Sequence, residues 1–140
     1  MSKINKGLFT STTGVWATPQ KVFDDLTTEF NFVLDVCATS ENAKCENFFS
    51  PEQDGLNQKW YGPAFMNPPY GKEITKWIKK AYEESKNGIL VVGLLPARTD
   101  TKYFHNYIYG KAEIRFIKGR LKFGDSKNSA PFPSMIVVWR

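Results

Sequence analysis

Histidine is almost missing from this chain: His105 is the only one, and the two cysteines, Cys37 and Cys45, stand far from it. Without Cys–His clustering there is no donor set for a zinc site, and no metal is expected. Cys37 and Cys45 could form one bridge, but nothing else suggests an exported protein, so free thiols in a reducing cytoplasm are expected. Long apolar runs are missing too. The longest, Ile89 to Leu95, includes Gly93 and suits a buried strand rather than a membrane span. The opening Met1-Ser2-Lys3-Ile4-Asn5-Lys6 lacks the apolar stretch of a secretion signal. Internal repeats, low-complexity tracts and interdomain linkers are also absent.

What remains is the composition of a folded domain. The 140 residues are 41% apolar and 24% charged, which fits one globular unit and excludes a disordered chain. Residues 1 to 15, polar and rich in Ser and Thr, are expected to form a mobile arm, with a single domain over 16 to 140. The formal net charge of +5 is a moderate pointer to a polyanionic partner. Lys118, Arg120 and Lys122 alternate with apolar residues near Gly119, and Lys76, Lys79 and Lys80 share one helical segment. Such charges are often only a solvated face.

Thr18-Pro19 reads as an N-cap followed by a first helical residue, opening a helix to about Glu29 with Val22, Phe23 and Leu26 inward. Phe32 to Val36 reads as a short strand, followed by a polar loop, the aromatic pair Phe48-Phe49 and a turn cluster at Ser50 to Gly55. Ala64 to Met66 is a strand. Ile74, Trp77, Ile78, Ala81 and Tyr82 form an apolar stripe at helical period over Lys72 to Lys86, closed by Asn87-Gly88. The continuous apolar run Ile89 to Leu95 suits a parallel strand covered on both faces. A shorter helix is expected within Thr99 to Tyr109. Ala112 to Ile117, Leu121 to Phe123 and Met135 to Trp139 read as strands with no room for helices between them. Strands alternating with helices, then an antiparallel hairpin-like finish, give an α/β three-layer domain with a mainly parallel sheet.

The most informative segment is Asn67-Pro68-Pro69-Tyr70, at the carboxyl end of the Ala64 to Met66 strand, where α/β sheets bind ligands. An Asn side chain offers a carbonyl oxygen that accepts one N–H. Two prolines hold their backbone carbonyls on a rigid chain, free to accept another. A Tyr offers a flat face for an aromatic base. Two acceptors and a ring describe a pocket for an exocyclic amine on a heteroaromatic ring. An ordinary Asn-Pro turn is the competing reading, and the position between strand and helix weighs against it.

Further segments accompany it in order: Trp16-Ala17-Thr18-Pro19, Leu34-Asp35-Val36-Cys37-Ala38, Asn42-Ala43-Lys44-Cys45, Asp54-Gly55-Leu56, Leu95-Pro96-Ala97-Arg98-Thr99-Asp100, and Gly119-Arg120-Leu121-Lys122-Phe123 with Ala130-Pro131-Phe132-Pro133-Ser134. Together with the tetrapeptide they resemble S-adenosylmethionine-dependent methyltransferases, and within them the phage-type DNA N-6-adenine methyltransferases of the Dam-like group. The resemblance covers nearly the whole chain. It implies a Rossmann-like class I methyltransferase fold, S-adenosylmethionine as cofactor, DNA as partner, and a bacterial or phage-infected cytoplasm as location. The stretch after the first strand, Asp35 to Ser40, has no glycine where many class members carry a glycine-rich segment. Nor is there room for a separate target-recognition domain. The oligomeric state, monomer or homodimer, stays open.

By this resemblance, Asn67 Oδ1 and the Pro68 carbonyl hold the adenine N6 hydrogens. Pro69 keeps the loop rigid, and Tyr70 stacks on a base flipped out of the duplex. No strong general base is required, which suits a chain without an evident His or paired-carboxylate base. The resemblance also assigns Asp35 to the cofactor's methionine side, Ala38 to the cofactor, Asp54 to its adenine amine, and Trp16, Thr18 and Pro19 to an element closing over it. Arg98, Phe132, Lys118, Arg120 and Lys122 are candidates for the DNA side. Two other readings stay open: amino-methyl transfer to RNA or protein glutamine, and an inactive nucleic-acid-binding module.

Overall fold

The computed structural model describes residues 16–124 and 126–140; the arm expected over residues 1 to 15 lies outside them. The chain runs α1 (Gln20–Phe30), β1 (Leu34–Asp35), a 3-10 turn (Gly55–Asn57), β2 (Ala64–Met66), α2 (Ile74–Lys86), β3 (Val91–Pro96), α3 (Lys102–Tyr107), β4 (Glu113–Phe116) and β5 (Ser134–Trp139). The five strands form one mixed sheet in the order β1-β2-β3-β5-β4. β1, β2 and β3 are parallel, whereas β5 inserts antiparallel between β3 and β4. The antiparallel finish expected from the sequence is therefore present.

Both faces of the central strands are buried, and alternation along them decides which helix covers which face. Val91 and Leu95 of β3 join Met135, Val137 and Trp139 of β5 in a cluster with Ile74, Trp77, Ile78 and Ala81 of α2. Val92 and Leu94 point the other way, with Ile136 and Val138, toward Phe23, Leu26 and Phe30 of α1. Phe123, Ala130 and Phe132 complete that second cluster, so a non-helical segment shares the face with α1. On the rim, Arg115 of β4 clasps Glu29 of α1 through paired contacts of 2.7 and 2.8 Å, and also bonds Glu113. Its guanidinium holds both carboxylates below their ordinary range.

Several expected boundaries move, each for a local reason. α1 begins at Gln20 with Pro19 in the cap position and no side-chain cap, so Thr18 is not the N-cap that Thr18-Pro19 suggests. Its hydroxyl is used elsewhere, as described below. α2 starts at Ile74 rather than Lys72 because Gly71, at φ 110°, still turns the chain. α3 is confined to Lys102–Tyr107, its first turn capped by the Thr101 hydroxyl. The expected strand Phe32 to Val36 shortens to Leu34–Asp35, although Val33 and Val36 still donate to Pro63 and Phe65 carbonyls of the neighbouring chain. Leu121 to Phe123 is not a strand: Leu121 accepts from Ala130 N–H across a loop, and Phe123 drops into the α1-side cluster. No helix among the described residues is long and apolar enough to cross a membrane.

Candidate active site

β1 and β2 end side by side, with Asp35 opposite Phe65, so the loops leaving them diverge from adjacent strand ends. Between these loops and the segment before α1 lies a cleft of about 750 Å³, counting the solvent at its mouth. Trp16, Thr18, Asp35, Ala38, Asn67 and Pro69 line it, six of the residues singled out from the sequence.

Asp35 organises the first loop. Its Oδ1 accepts from the Cys37 N–H at 3.3 Å and its Oδ2 from the Lys44 N–H at 3.0 Å, which folds residues 37 to 44 back over the strand end. Asn42 closes the far turn by accepting from the Thr39 N–H. This explains how the segment dispenses with glycine: a carboxylate, rather than backbone freedom, shapes the turn. The side chain is only 3% exposed, and burial pushes its pKa up to about 6 against the opposing pull of the two N–H groups. A carboxylate so poorly solvated favours a cation beside it. Cys37, on the same wall, has its thiol pushed up to about 12, first by burial and then by the Asp35 charge.

The cleft floor is a close approach. A Cβ on Gly55 would stand 2.3 Å from the Val36 carbonyl oxygen and 3.0 Å from the Trp77 ring, so only glycine fits there. Trp60 fixes this turn by donating from Nε1 to the Gly55 carbonyl at 2.8 Å, and its ring stacks on Trp77. Asp54, which the resemblance assigns to the cofactor's adenine amine, accepts from Leu56 N–H and Asn57 Nδ2 at 3.2 and 2.6 Å and is not among the lining residues. Trp77 and Phe49 are walls that sequence reading missed. Trp77 was legible only as part of the α2 stripe, and Phe49 only as half of an aromatic pair.

Asn67 is the polar centre of the second loop. Its Nδ2 donates to the Trp16 carbonyl and, at 2.9 Å, to Thr18 Oγ1. The Trp16 carbonyl can only accept, so the amide nitrogen must face it. That leaves Asn67 Oδ1, which is buried and has no hydrogen-bond partner. Nor does any donor among the described residues reach the Pro68 carbonyl. A buried acceptor left empty is costly, and its presence at a cleft points to a ligand donor.

Tyr70 is half-buried and is not among the residues lining this cleft. Its hydroxyl donates to the Leu94 carbonyl at 2.9 Å, and burial holds its phenol well above the ordinary value. Its ring meets Phe132 edge-on at 5.5 Å and Phe123 at 6.4 Å. Trp16 also packs edge-on against Phe123 and Phe132, at 5.5 and 5.3 Å, so one indole borders both the cleft and this aromatic cluster. The Arg98 guanidinium stands 5.8 Å over Phe132 and makes no ion pair with Asp100 among the described residues. Lys118, Arg120 and Lys122 are exposed on the segment leading to Phe123, with Arg120 reaching the Ala130 carbonyl at 3.4 Å. Pro19 lies outside the cleft, at the start of α1.

Two curated relatives are similar to this chain over most of its length. The chain is 33% identical over 134 residues to a DNA N-6-adenine-methyltransferase of Haemophilus phage HP1, covering 89% of this chain and 78% of that one. It is 33% identical over 111 residues to a DNA N-6-adenine-methyltransferase of Escherichia phage T1, covering 76% of this chain but 46% of that longer protein. The model of the DNA N-6-adenine-methyltransferase (Dam) family matches residues 7–140. With the cleft at the strand ends and the match spanning nearly every residue, the chain belongs to the DNA N-6-adenine-methyltransferase (Dam) family.

Proposed function

We propose that this protein transfers a methyl group from S-adenosylmethionine to the N6 amine of adenine in DNA, on a Rossmann-like class I methyltransferase domain formed by residues 16 to 140. The observation that carries the reading is Asn67 Oδ1, a buried acceptor without a donor, in a cleft that also holds a desolvated carboxylate. The residues present fit the cofactor. Asp35 suits its ammonium, Trp77 and Phe49 give flat apolar walls, and Gly55 lets the turn pack against Val36 and Trp77 beside them. When bound, S-adenosylmethionine supplies an electrophilic methyl group.

The chain's own part is to hold and polarise the amine. Adenine N6 is a weak nucleophile because its lone pair is delocalised into the ring. Asn67 Oδ1 and the Pro68 carbonyl each accept one N6–H, which favours a tetrahedral nitrogen with its lone pair free. The two prolines keep these acceptors in place, so little reorganisation is needed. The proton becomes acidic only after transfer, and no dedicated base is required. The base reaches the pocket by leaving the duplex. Tyr70, anchored through Leu94, and Phe132 form the aromatic wall that receives it. Arg98, Lys118, Arg120 and Lys122 contact phosphate, which makes binding salt-dependent. The reaction belongs where bacterial or phage DNA is accessible, in the cell cytoplasm.

The test is direct. Purified protein is incubated with labelled S-adenosylmethionine and unmethylated DNA, and the digested DNA is analysed for N6-methyladenine. Label in N6-methyladenine is the expected result. Label entering RNA or protein while DNA stays unlabelled would overturn the choice of substrate.

A further inference from the structure

We infer that Thr18 is a positioning residue that holds the Asn67 amide in the orientation set by the Trp16 carbonyl, with its oxygen toward the acceptor amine. The inference rests on the reading above of Asn67 as the group that holds N6. An amide is nearly symmetric in shape, so its oxygen and nitrogen can exchange places with little steric cost. Only one orientation is useful, because an amide NH2 cannot accept an N6–H.

In this chain the orientation is set from outside the catalytic loop. Asn67 Nδ2 is held by the Trp16 carbonyl, which has no proton to offer, and by Thr18 Oγ1 at 2.9 Å. Reversing the amide would press Oδ1 against the Trp16 carbonyl oxygen and lose that bond, whereas the Thr18 hydroxyl can bond either end and serves to hold the amide in the orientation the carbonyl sets. Thr18 is 6% exposed, so water has little room to substitute for its hydroxyl. The strap carrying these groups is itself fixed at several points. Ala17 O accepts from Gly124 N–H at 2.9 Å, Pro19 O accepts from Phe23 N–H at 3.2 Å, and the Trp16 ring sits edge-on to Phe123 and Phe132. The Thr18 hydroxyl caps no helix, since Pro19 occupies that position without a side-chain bond. Its contact with Asn67 is therefore not a by-product of starting α1.

The experiment compares wild type, Thr18→Val, Thr18→Ala and Thr18→Ser. For each, kcat is measured on unmethylated DNA at saturating S-adenosylmethionine, and the Kd for S-adenosylmethionine is measured by calorimetry without DNA. Losing the hydroxyl in Thr18→Val should lower kcat by about tenfold, the scale of one buried hydrogen bond, while the Kd changes by less than about threefold, a small part of a typical hydrogen bond. Thr18→Ser should recover most of that kcat. Thr18→Ala, which removes the hydroxyl without adding a branched apolar side chain, should lose kcat likewise and carries the test if Thr18→Val fails to fold. Wild-type kcat in Thr18→Val or Thr18→Ala, or a loss confined to the cofactor Kd, would each overturn the inference and leave the proposed function standing. A wild-type protein that methylates no adenine overturns both.

Discussion

The loops leaving β1 and β2 start from paired neighbours in the same sheet, yet they treat their polar residues in opposite ways. Asp35 spends both oxygens on its own chain, accepting from Cys37 and Lys44. Asn67 spends only its donor, on Trp16 and Thr18, and leaves its oxygen empty. The first arrangement builds a wall and concentrates charge in a poorly solvated place. The second leaves an acceptor for a visitor. In the proposed reaction this separates a cofactor-binding carboxylate from an amine-holding amide, although both are short polar side chains at strand ends.

The contrast breaks most sharply at Asn67. Asn67→Ala removes the acceptor and should lower kcat about a thousandfold, comparable to losing a preorganised donor or acceptor at a reacting centre. Cofactor Kd, read by calorimetry, should stay within about threefold of wild type, since the loss falls on the acceptor amine. Equal kcat in variant and wild type would remove the amine-holding role.

At Asp35 the expected pattern is reversed: binding suffers and the fold does not. Asp35→Asn should weaken S-adenosylmethionine affinity by about tenfold or more, because the charge that favours the ammonium is gone. Burial raises the Asp35 pKa in the fold from 3.8 to about 6, so the native state holds this proton more tightly than the unfolded chain. Its contribution to stability is therefore most favourable below pH 3.8 and declines as pH rises through about 6. The cost at neutral pH is on the order of 2–3 kcal/mol before the lost N–H bond of an Asn is counted. Chemical denaturation at pH 7 should show Asp35→Asn at least as stable as wild type. Its stability should also fall less between pH 4 and pH 7. Affinity for S-adenosylmethionine in wild type should drop as pH falls below about 6, where Asp35 takes up a proton.

Gly55→Ala sharpens the comparison by leaving both polar groups untouched. Its Cβ would lie 2.3 Å from the Val36 carbonyl oxygen, so backbone must shift, at about 1–3 kcal/mol. Denaturation should report that loss, and affinity for S-adenosylmethionine should fall with it. A variant as stable as wild type would mean the floor relaxes freely.

How legible this was depended on how far each partner lay along the chain. The α2 stripe, the buried β3 run and the strand before Asn67 follow from local period, and they appear within a few residues of where the sequence places them. Thr18 misled because capping is a local rule, whereas its actual partner is 49 positions away. Leu121 to Phe123 misled likewise: their alternation suits a strand, but Ala130 and Ala17 bind that segment into a loop. For the site, residue types pointed to Asn67, and the family resemblance pointed to Asp35. Nothing local separates Asp54, which closes its own turn, from an acid that faces a ligand. Trp77 reads as core by its spacing, and only the shape of the cleft shows that one edge serves as a wall.

Cys37 bears on chemoselectivity. A methyl donor is an indiscriminate electrophile, and sulfur anions are better nucleophiles than any amine of a nucleobase. This protein keeps a thiol on the wall of the very cleft where such a donor would sit. Burial and the neighbouring carboxylate hold that thiol fully protonated at cellular pH. In the proposed reaction, the same desolvation that favours a cation beside Asp35 would keep this thiol from competing for the methyl group.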